Sequence, residues 1–292
     1  MKRAVLIGSN GQVGTEITRI WDTVSSLRDT ELIGLTHADI EITDRQEVEA
    51  TLDRIDPELI INTAGFLRVD ECESVPEKAC AVNALAVKYL AESAAKHSTF
   101  LVQFSTDYVF DGRKTSPYTE SDSNSPVNAY GLSKLMGEHF LRYCLPDAHL
   151  IVRTSGVFGI AGSTNKGGNF IETMLRLANA GRELSVINDQ TFSPTYAPDL
   201  AHATLELISA GADGTIHLTN SGTTTWCDFA EAAFAGAGLR PQLHAVSSSE
   251  YGAAAKRPRY SVLDNERAMT LGVAPLRPWQ DALNAYLSAR SS

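Results

Sequence analysis

The first half of the chain alternates short apolar runs with longer amphipathic stretches, and this alternation constrains the fold more than any other feature. Runs rich in Val, Ile, Leu and Phe predict five strands, with the sequences RAVLIG, ELIGLT, LIIN, TFLVQFS and HLIVRT. These runs do not alternate cleanly between apolar and polar residues, which is typical of strands covered on both faces. Helical stretches lie between them, so the order predicts an α/β fold with a doubly wound parallel sheet.

The sequence pattern of the chain changes after about Arg153. A long glycine-rich loop is followed by predicted helices, a short strand within ELSVIND and the proline-containing segment TFSPTYAP. This mixture predicts a smaller C-terminal α/β substrate lobe. We predict a dinucleotide-binding domain over residues 1–153, with later sheet elements contributed from about 185–220, and a mainly substrate-binding lobe over residues 154–292.

Composition and charge argue against several classes of protein. The 292 residues carry a formal net charge of −10, and an acidic surface disfavours nucleic acid or an anionic membrane as the main partner. No apolar run approaches the roughly 18 residues that a membrane span needs, and MKRAVLIGSNGQVG does not have the long apolar region of a signal peptide. The four cysteines form neither a C-x-x-C pair nor a disulfide framework. We therefore expect a reduced, cytoplasmic protein.

The first predicted strand runs directly into GSNGQVG, in which Gly8, Gly11 and Gly14 have the spacing G-x-x-G-x-x-G. A tight turn from strand to helix needs residues without Cβ, and a pyrophosphate must approach its backbone closely. The N-terminus of the following helix offers free N–H groups to the phosphates. A glycine-rich turn before a surface helix is the plainer alternative. The position at the first βα turn nevertheless predicts a dinucleotide site of the Rossmann type.

The end of the second strand usually selects between NAD and NADP through an acid near the ribose 2′-hydroxyl. Here Thr36 stands in place of a terminal acid and His37 follows it, although Asp39 and Glu41 lie close by. Because a neutral strand end tolerates a 2′-phosphate, the sequence favours NADPH as the cofactor, with NADH as the alternative.

The segment NAYGLSK places Tyr130 and Lys134 four residues apart, on one face of a predicted helix. Thr106 and Asp107 follow the fourth strand, whose carboxyl end lies at the same edge of the sheet as the glycine turn. A free tyrosine titrates at about pH 10, and a nearby ammonium and the positive nicotinamide of the oxidised cofactor lower that pKa by favouring the phenolate. The set predicts a carbonyl reductase, in which Tyr130 donates a proton, Lys134 assists it and Thr106 polarises the carbonyl. Each residue alone also suits an ordinary structural role.

Motifs over almost the whole chain resemble those of the dTDP-4-dehydrorhamnose reductase family, a branch of the extended short-chain dehydrogenase/reductases. They are GSNGQVG, INTAGFLRVDECES, VNALAV, STDYVFDG, SPVNAYGLSKLMGE, IVRTS, GGNFIETMLRLA, INDQTFSPTYAPDLA and GTTTWCDFA. The resemblance implies a nucleotide-sugar substrate and an NAD(P)H-dependent oxidoreductase. The implied reaction is reduction of the C4 ketone of dTDP-4-dehydro-β-L-rhamnose to dTDP-L-rhamnose.

The same resemblance implies which residues contact the cofactor and the sugar nucleotide. The implied cofactor contacts are Gly8, Asn10, Gly11, Gln12, Val13, Gly14, Glu41, Ile42, Ala64, Gly65, Phe66, Tyr130 and Lys134. Thr106 and Asp107 are implied to touch the sugar nucleotide, as is Asn169, for which a helix N-cap is the alternative. Arg257 in KRPRY suits bidentate contact with the diphosphate, and a solvated charge cluster is its alternative.

Gly156 departs from the family pattern, in which a tryptophan packs against the sugar at this position. The missing ring affects the identity of the sugar more than the type of reaction, and Phe158 is expected to fill part of the gap. A reductase of a different NDP-4-keto sugar is therefore one alternative. A non-catalytic dinucleotide-binding regulatory subunit is another, because a related scaffold can serve a partner protein.

Some family members join subunits through a metal held by glutamates. Glu16 fits one such ligand, but Pro198 stands where another belongs. We therefore predict no metal site, and either a monomer or a homodimer.

Overall fold

The computed structural model describes residues 2–161 and 168–290. Residues 162–167 belong to the predicted glycine-rich loop, so that part of the loop lies outside the described residues. The strands are β1 Lys2–Ile7, β2 Thr30–Leu35, β3 Leu59–Asn62, β4 Phe100–Thr106, β5 His149–Thr154, β6 Val157–Phe158, β7 Leu184–Ile187, β8 Thr191–Phe192, β9 Thr195–Tyr196, β10 Gly214–His217, β11 Thr224–Thr225 and β12 Leu243–Val246. The helices are α1 Gln12–Ile20, α2 Arg45–Ile55, α3 Val69–Ser74, α4 Pro76–Cys80, α5 Ala86–His97, α6 Ala129–Cys144, α7 Phe170–Asn179, α8 Ala197–Ser209, α9 Trp226–Gly236, α10 Ser248–Tyr251, α11 Glu266–Thr270 and α12 Trp279–Arg290.

Six of the strands form one parallel sheet in the order β10-β5-β4-β3-β1-β2. The chain leaves β1 for β2 on one side and returns to β3 on the other side. This reversal opens a crevice at the carboxyl ends of β1 and β3, where open α/β sheets bind ligands. The predicted doubly wound parallel sheet is confirmed.

Successive residues of β1 enter two different hydrophobic cores. Ala4 and Leu6 pack on the face covered by α1 and α8, whereas Val5 and Ile7 pack on the face covered by α2 and α5. Both faces of the strand are therefore removed from water. This explains why the strand sequences lack alternating polar residues.

The second half of the chain builds a third core beside the sheet. α7, α9 and α12 pack together there, and Phe158, Phe229 and Tyr286 are fully buried among them. β7 pairs with β12 in a separate two-stranded sheet, whereas β10 joins β5 in the main sheet. Within the described part of the segment 185–220, β10 is thus the one strand that enters the main sheet. The division into two domains stays a prediction.

Two helical stretches of the sequence form less regular helices than their pattern indicates. The amphipathic stretch VGTEITRIWDTV indicates a helix over 13–24, but α1 ends at Ile20, because Trp21–Thr23 forms a 3₁₀ turn that buries the Trp21 ring. The stretch PEKACAVNALAVKYLAESAAKH indicates one helix over 76–97, but it contains a π-helical turn at Ala81–Leu85, between α4 and α5. That turn buries Asn83, whose amide bonds the backbone of Phe66 in both directions, at 2.8 Å and 3.0 Å. An extra residue in a helical turn often marks a functional region.

Candidate active site

The glycine turn lies at the crevice where the sheet order reverses. Gly8 has a φ of +80°, which favours glycine, and its N–H donates to Leu35 O at 2.8 Å. A Cβ on Gly8 would lie 2.7 Å from Thr63 Oγ1, so the turns after β1 and β3 are in close contact. A Cβ on Gly14 would lie 2.3 Å from Gly8 O. The turn therefore requires glycine at both positions, as the sequence predicted.

Several observations show that this turn fits a dinucleotide. Gly11 precedes α1 without a side-chain cap, so the first N–H groups of the helix are available to phosphate oxygens. The buried Oε1 of Gln12 has no hydrogen-bond partner among the described residues. A shallow pocket of about 390 Å³ beside the turn is lined by Ser9, Asn10, Thr15, Thr18, Arg19 and Gly34. A buried acceptor without a partner, next to the uncapped start of a helix, indicates a site for a polar ligand rather than an ordinary surface turn.

Two of the predicted cofactor residues place their side chains elsewhere. Val13 packs against the core beneath α1, and Ile42 is buried in the core beneath α2. Glu41 accepts hydrogen bonds from Thr43 N and Thr43 Oγ1, at 2.9 Å and 2.7 Å, and these bonds lower the pKa of Glu41. The backbone is therefore the part of Val13 and Ile42 that remains for a ligand.

The turn after β3 contains three predicted cofactor residues and brings one of them, Gly65, close to Lys134. Ala64 N donates to Asn62 Oδ1 at 3.1 Å, and Phe66 N donates to Asn83 Oδ1, which fixes the path of the turn. A Cβ on Gly65 would lie 3.9 Å from Lys134 Nζ and only 3.2 Å from Asn83 Oδ1. The turn thus approaches the lysine closely at a residue without a side chain.

Tyr130 and Thr106 are joined at the carboxyl end of β4. Both side chains are buried, and a hydrogen bond links the Tyr130 phenol to the Thr106 hydroxyl. Thr106 Oγ1 donates to Asp107 Oδ1 at 3.1 Å. Burial raises the pKa of Tyr130 above its usual value, and the bond to Thr106 opposes this increase only in part. Desolvation of the phenolate outweighs the other contributions from the described residues. The lowering of this pKa by Lys134 together with the oxidised nicotinamide stays a prediction for the complex with the cofactor.

Lys134 lies one helical turn after Tyr130 and is also buried. Its ammonium donates to Phe104 O, in β4, at 2.6 Å. Burial lowers the pKa of Lys134 to about 8, and the negative charge of Glu138 opposes this decrease. The predicted pair is thus brought to one face of α6, against the end of β4, but the lysine contacts the strand backbone.

Asp107 is enclosed by hydroxyl groups. Ser155 Oγ donates to Asp107 Oδ2 at 2.8 Å, and Ser261 and Thr106 also hydrogen-bond the carboxylate. Burial raises the pKa of Asp107 to about 6, and these three bonds oppose the increase. The carboxylate is 3% exposed, so its immediate role is to hold Thr106 in place.

Two further predicted substrate residues are already engaged. Asn169 is the N-cap of α7: its Oδ1 accepts from Glu172 N at 2.9 Å, and its Nδ2 donates to Gly159 O at 2.8 Å. This is the alternative that the sequence offered for Asn169. Arg257 forms a bidentate pair with Asp70, at 3.1 Å and 2.6 Å, and hydrogen-bonds the Tyr108 hydroxyl. The Tyr108 ring in turn meets the Tyr130 ring edge-on, with centroids 5.9 Å apart. Arg257 therefore lies close to the site.

The space beside Gly156 is filled by Phe192, and the expectation that Phe158 fills it is wrong. A Cβ on Gly156 would lie 2.4 Å from Phe192 Cε2, and the φ of Gly156 is +52°. The Phe192 ring stacks on Trp226 with centroids 3.9 Å apart. Phe158 is instead buried in the lobe core, against Phe229 and Tyr286. An aromatic pair from β8 and α9 thus occupies the space next to the glycine.

Sequence reasoning did not single out some residues of the site. Ser155 and Ser261 hold Asp107, and Glu138 accepts from Ser105 at 2.6 Å beneath Lys134. The position of Glu138, four residues after Lys134, is the signal that could have found it, because both residues share one helix face.

The described residues contain no group of three or more His, Cys, Asp or Glu side chains that could hold a metal ion. The expectation of no metal site stays a prediction. Between residues 2–161 and 168–290, no helix combines the length and apolar character needed to cross a membrane.

The parallel sheet, the glycine turn at its crevice and the buried Tyr130–Lys134 helix together define the short-chain dehydrogenase/reductase class. The comparison with known families narrows this class. The family model of the RmlD substrate binding domain matches residues 1–291. The chain therefore belongs to the family of dTDP-4-dehydrorhamnose reductases.

Individual relatives agree with this assignment. The chain is 37% identical over 296 residues to dTDP-4-dehydrorhamnose reductase of Escherichia coli (strain K12), covering 97% of this chain and 96% of that protein. It is 37% identical over 282 residues to dTDP-4-keto-6-deoxy-D-glucose reductase of Streptomyces niveus, covering 96% and 95%. The crystal structure of dTDP-4-dehydrorhamnose reductase from Bacillus anthracis, in complex with NADP, gives a TM-score of 0.92 at 32% identity and covers 99% of this chain and 100% of that chain.

Proposed function

We propose that the protein reduces the C4 ketone of dTDP-4-dehydro-β-L-rhamnose to dTDP-L-rhamnose with NAD(P)H. Membership of the dTDP-4-dehydrorhamnose reductase family supports the reaction type and the substrate class. The observation that carries the proposal at the level of residues is the hydrogen bond between the buried Tyr130 phenol and Thr106 at the ligand crevice.

In this proposal the glycine turn holds the pyrophosphate, and the turn after β3 lies along the rest of the cofactor. When bound, NAD(P)H supplies the hydride. The single hydroxyl proton of Thr106, which Asp107 Oδ1 accepts in the structure, turns to the substrate carbonyl when the sugar binds, and Tyr130 gives its proton to the oxygen that becomes the C4 hydroxyl. Lys134 lies on the same helix face, and its ammonium stabilises the phenolate that Tyr130 leaves behind. Before the sugar binds, Asp107 Oδ1 accepts the Thr106 proton at 3.1 Å and so holds the Thr106 side chain at the crevice.

NADPH is the preferred cofactor in this proposal, and the end of β2 supports it. Thr36 is neutral, and its hydroxyl and N–H both donate to Asp39 Oδ2, at 2.7 Å and 2.8 Å. Asp39, the acid nearest to the end of β2, therefore already accepts hydrogen bonds from its own turn. The ratio of kcat/KM for NADPH to that for NADH tests the preference, and a ratio below one contradicts it.

A reductase of a different NDP-4-keto sugar is the second candidate function. The observation that favours it is Gly156, where Phe192 fills the adjoining space. A related protein from Streptomyces niveus also bears the name of a 4-keto-6-deoxy-D-glucose reductase. Comparison of kcat/KM across dTDP-, UDP- and GDP-linked 4-keto sugars separates the two candidates.

Replacement of Tyr130 by Phe tests the proposed proton donor. We expect kcat to fall by about 10²–10⁴-fold, the usual contribution of a general acid, while NADPH still binds. Tyr143→Phe is a matched control, because Tyr143 lies on the same helix and is 84% exposed. Near wild-type turnover in Tyr130→Phe would contradict the assignment of Tyr130 as the proton donor.

Location and assembly remain predictions. The described cysteines are free, which fits a reducing, cytoplasmic compartment. A monomer or a homodimer, without nucleic acid as a partner, is expected, and sedimentation of the purified protein tests the assembly.

A further inference from the structure

A buried carboxylate lies directly beneath the proposed catalytic pair. Tyr130, Lys134 and Glu138 follow one another at intervals of four along α6, so they share the face turned toward the sheet. Glu138 is 0% exposed. Acids are rarely buried completely in proteins unless they are paired, so the partners of Glu138 require an explanation.

Glu138 binds groups from three different elements. Its Oε1 accepts from Ser105 Oγ, in β4, at 2.6 Å, and from Arg153 Nε, in β5, at 2.9 Å. Its Oε2 accepts from Arg153 Nη2 at 2.6 Å and from Arg142 Nη2 at 2.9 Å. Three of the four bonds connect the middle of α6 to the ends of two neighbouring strands, next to the backbone that Lys134 contacts, and the fourth, from Arg142, lies within α6.

Arg153 is itself held in place. It is 1% exposed, its Nη2 donates to Asn124 Oδ1 at 3.0 Å, and its guanidinium lies 5.3 Å from the centre of the Phe110 ring. A guanidinium enclosed in this way positions the carboxylate in one geometry. Its hydrogen bonds and charge bring the pKa of Glu138 below its usual value, although burial alone would raise it. Glu138 therefore stays negative near neutral pH.

Lys134 needs a nearby negative charge because it is buried. Burial lowers the pKa of Lys134 to about 8, and Glu138 is the one charged group, among those described, that acts in the opposite direction. The ammonium has the Phe104 carbonyl at 2.6 Å as its protein partner. A lysine that loses its charge near neutral pH no longer stabilises the Tyr130 phenolate.

We propose that Glu138 is a positioning residue for Lys134: it fixes the lysine-bearing turn of α6 to Ser105 and Arg153 and keeps the ammonium charged. The inference rests on the proposed function, since it assigns Lys134 a role beside Tyr130. Glu138 itself touches neither substrate nor cofactor. It acts through the lysine one turn before it.

The surrounding titratable groups do not replace Glu138 in this role. Arg142 and Arg153 are cations bonded to Glu138 itself, and burial lowers the pKa of His217 to about 3, so His217 is neutral. Other titratable groups on elements packed against α6 act on other parts of the helix: Cys72 and Asp107 on Tyr130, Glu73 on Ala129 N, Lys88 on the Phe140 ring and His149 on Arg142.

The test measures how Glu138→Gln changes the titration of Lys134. The Cε resonance of Lys134, assigned with Lys134→Met, is followed against pH, and kcat is measured over the same range. We expect the pKa of Lys134 to fall by about one unit, the lower end of the effect of a nearby opposite charge. The alkaline decline of kcat then begins at a correspondingly lower pH.

Two further variants keep the test decisive. Glu138→Asp retains the charge, so we expect the Lys134 titration to stay near that of the wild type. Glu138→Gln/Arg153→Met removes both buried charges, so that no guanidinium is left unpaired if the single variant does not fold. We expect a downward shift that is smaller than in Glu138→Gln, because removal of the guanidinium favours the ammonium. Arg142→Met is the matched control, because it leaves Glu138 charged and should not lower the pKa of Lys134.

The outcomes separate this inference from the proposed function. Wild-type turnover with an unchanged Lys134 titration in Glu138→Gln, or in the double variant, overturns the positioning role alone. Absence of turnover in the wild type overturns the proposed reaction. A downward shift in pKa together with an earlier alkaline decline supports the inference.

Discussion

The contact between Gly156 and Phe192 predicts an unusually large cost for a single added methyl group. Gly156→Ala places a Cβ at a φ of +52°, which costs about 1–2 kcal/mol for a residue other than glycine. The same Cβ would lie 2.4 Å from Phe192 Cε2, and overpacking of this kind costs about 1–3 kcal/mol more. We therefore expect the free energy of unfolding to fall by about 2–5 kcal/mol.

Gly181→Ala separates the two contributions. Gly181 has a φ of +65°, but a Cβ there would meet nothing within 4 Å. Its replacement should cost only the backbone strain of about 1–2 kcal/mol. In a Phe192→Ala background the cost of Gly156→Ala should drop to the same value, because the obstructing ring is absent.

Urea unfolding followed by circular dichroism gives these free energies from the midpoint and the slope. Equal costs for Gly156→Ala and Gly181→Ala in the wild-type background would refute the account. They would mean that Phe192 yields without cost, and that the space beside Gly156 is available to a larger side chain.

Two other predictions concern charged groups. Arg257→Met should raise the KM for the sugar nucleotide about tenfold or more, the cost of one charge-assisted hydrogen bond. Asp70→Asn removes the negative charge of the partner that Arg257 contacts at 2.6 Å and should not raise KM. Equal increases in KM would indicate that the pair is only structural. Burial holds the pKa of His217 at about 3, against 6.5 when exposed, so the unfolded chain binds more protons below about pH 6.5 and stability falls as the pH decreases. The loss between pH 7 and about pH 4.5 should approach roughly 2–3 kcal/mol, and His217→Gln should reduce it; an unchanged acid dependence in urea unfolding would contradict this explanation.

The parts of the fold that follow from local pattern could be predicted from the sequence. The apolar runs of β1 and β3–β5 identify buried strands because both of their faces enter a core. The Gly8 turn could be located because its φ of +80° and its contact with Thr63 exclude other residues. The spacing of Tyr130 and Lys134 likewise gives a shared helix face without knowledge of the tertiary structure.

The parts that depend on distant contacts could not be predicted in this way. Arg153 contacts Glu138 because β5 pairs with β4, and Phe192 contacts Gly156 from β8, which is distant in sequence. The raised pKa of Tyr130 could not be predicted either, because it depends on how completely the folded chain removes water from the phenol. Burial of this kind is a property of the packed structure and not of residue spacing.

The central claim is most directly tested by the rate of NADPH consumption with dTDP-4-dehydrorhamnose, together with identification of the sugar product. The account predicts rapid oxidation of NADPH and formation of dTDP-L-rhamnose by the wild-type protein. NADPH that binds but is not oxidised, with the keto sugar recovered unchanged, would contradict it.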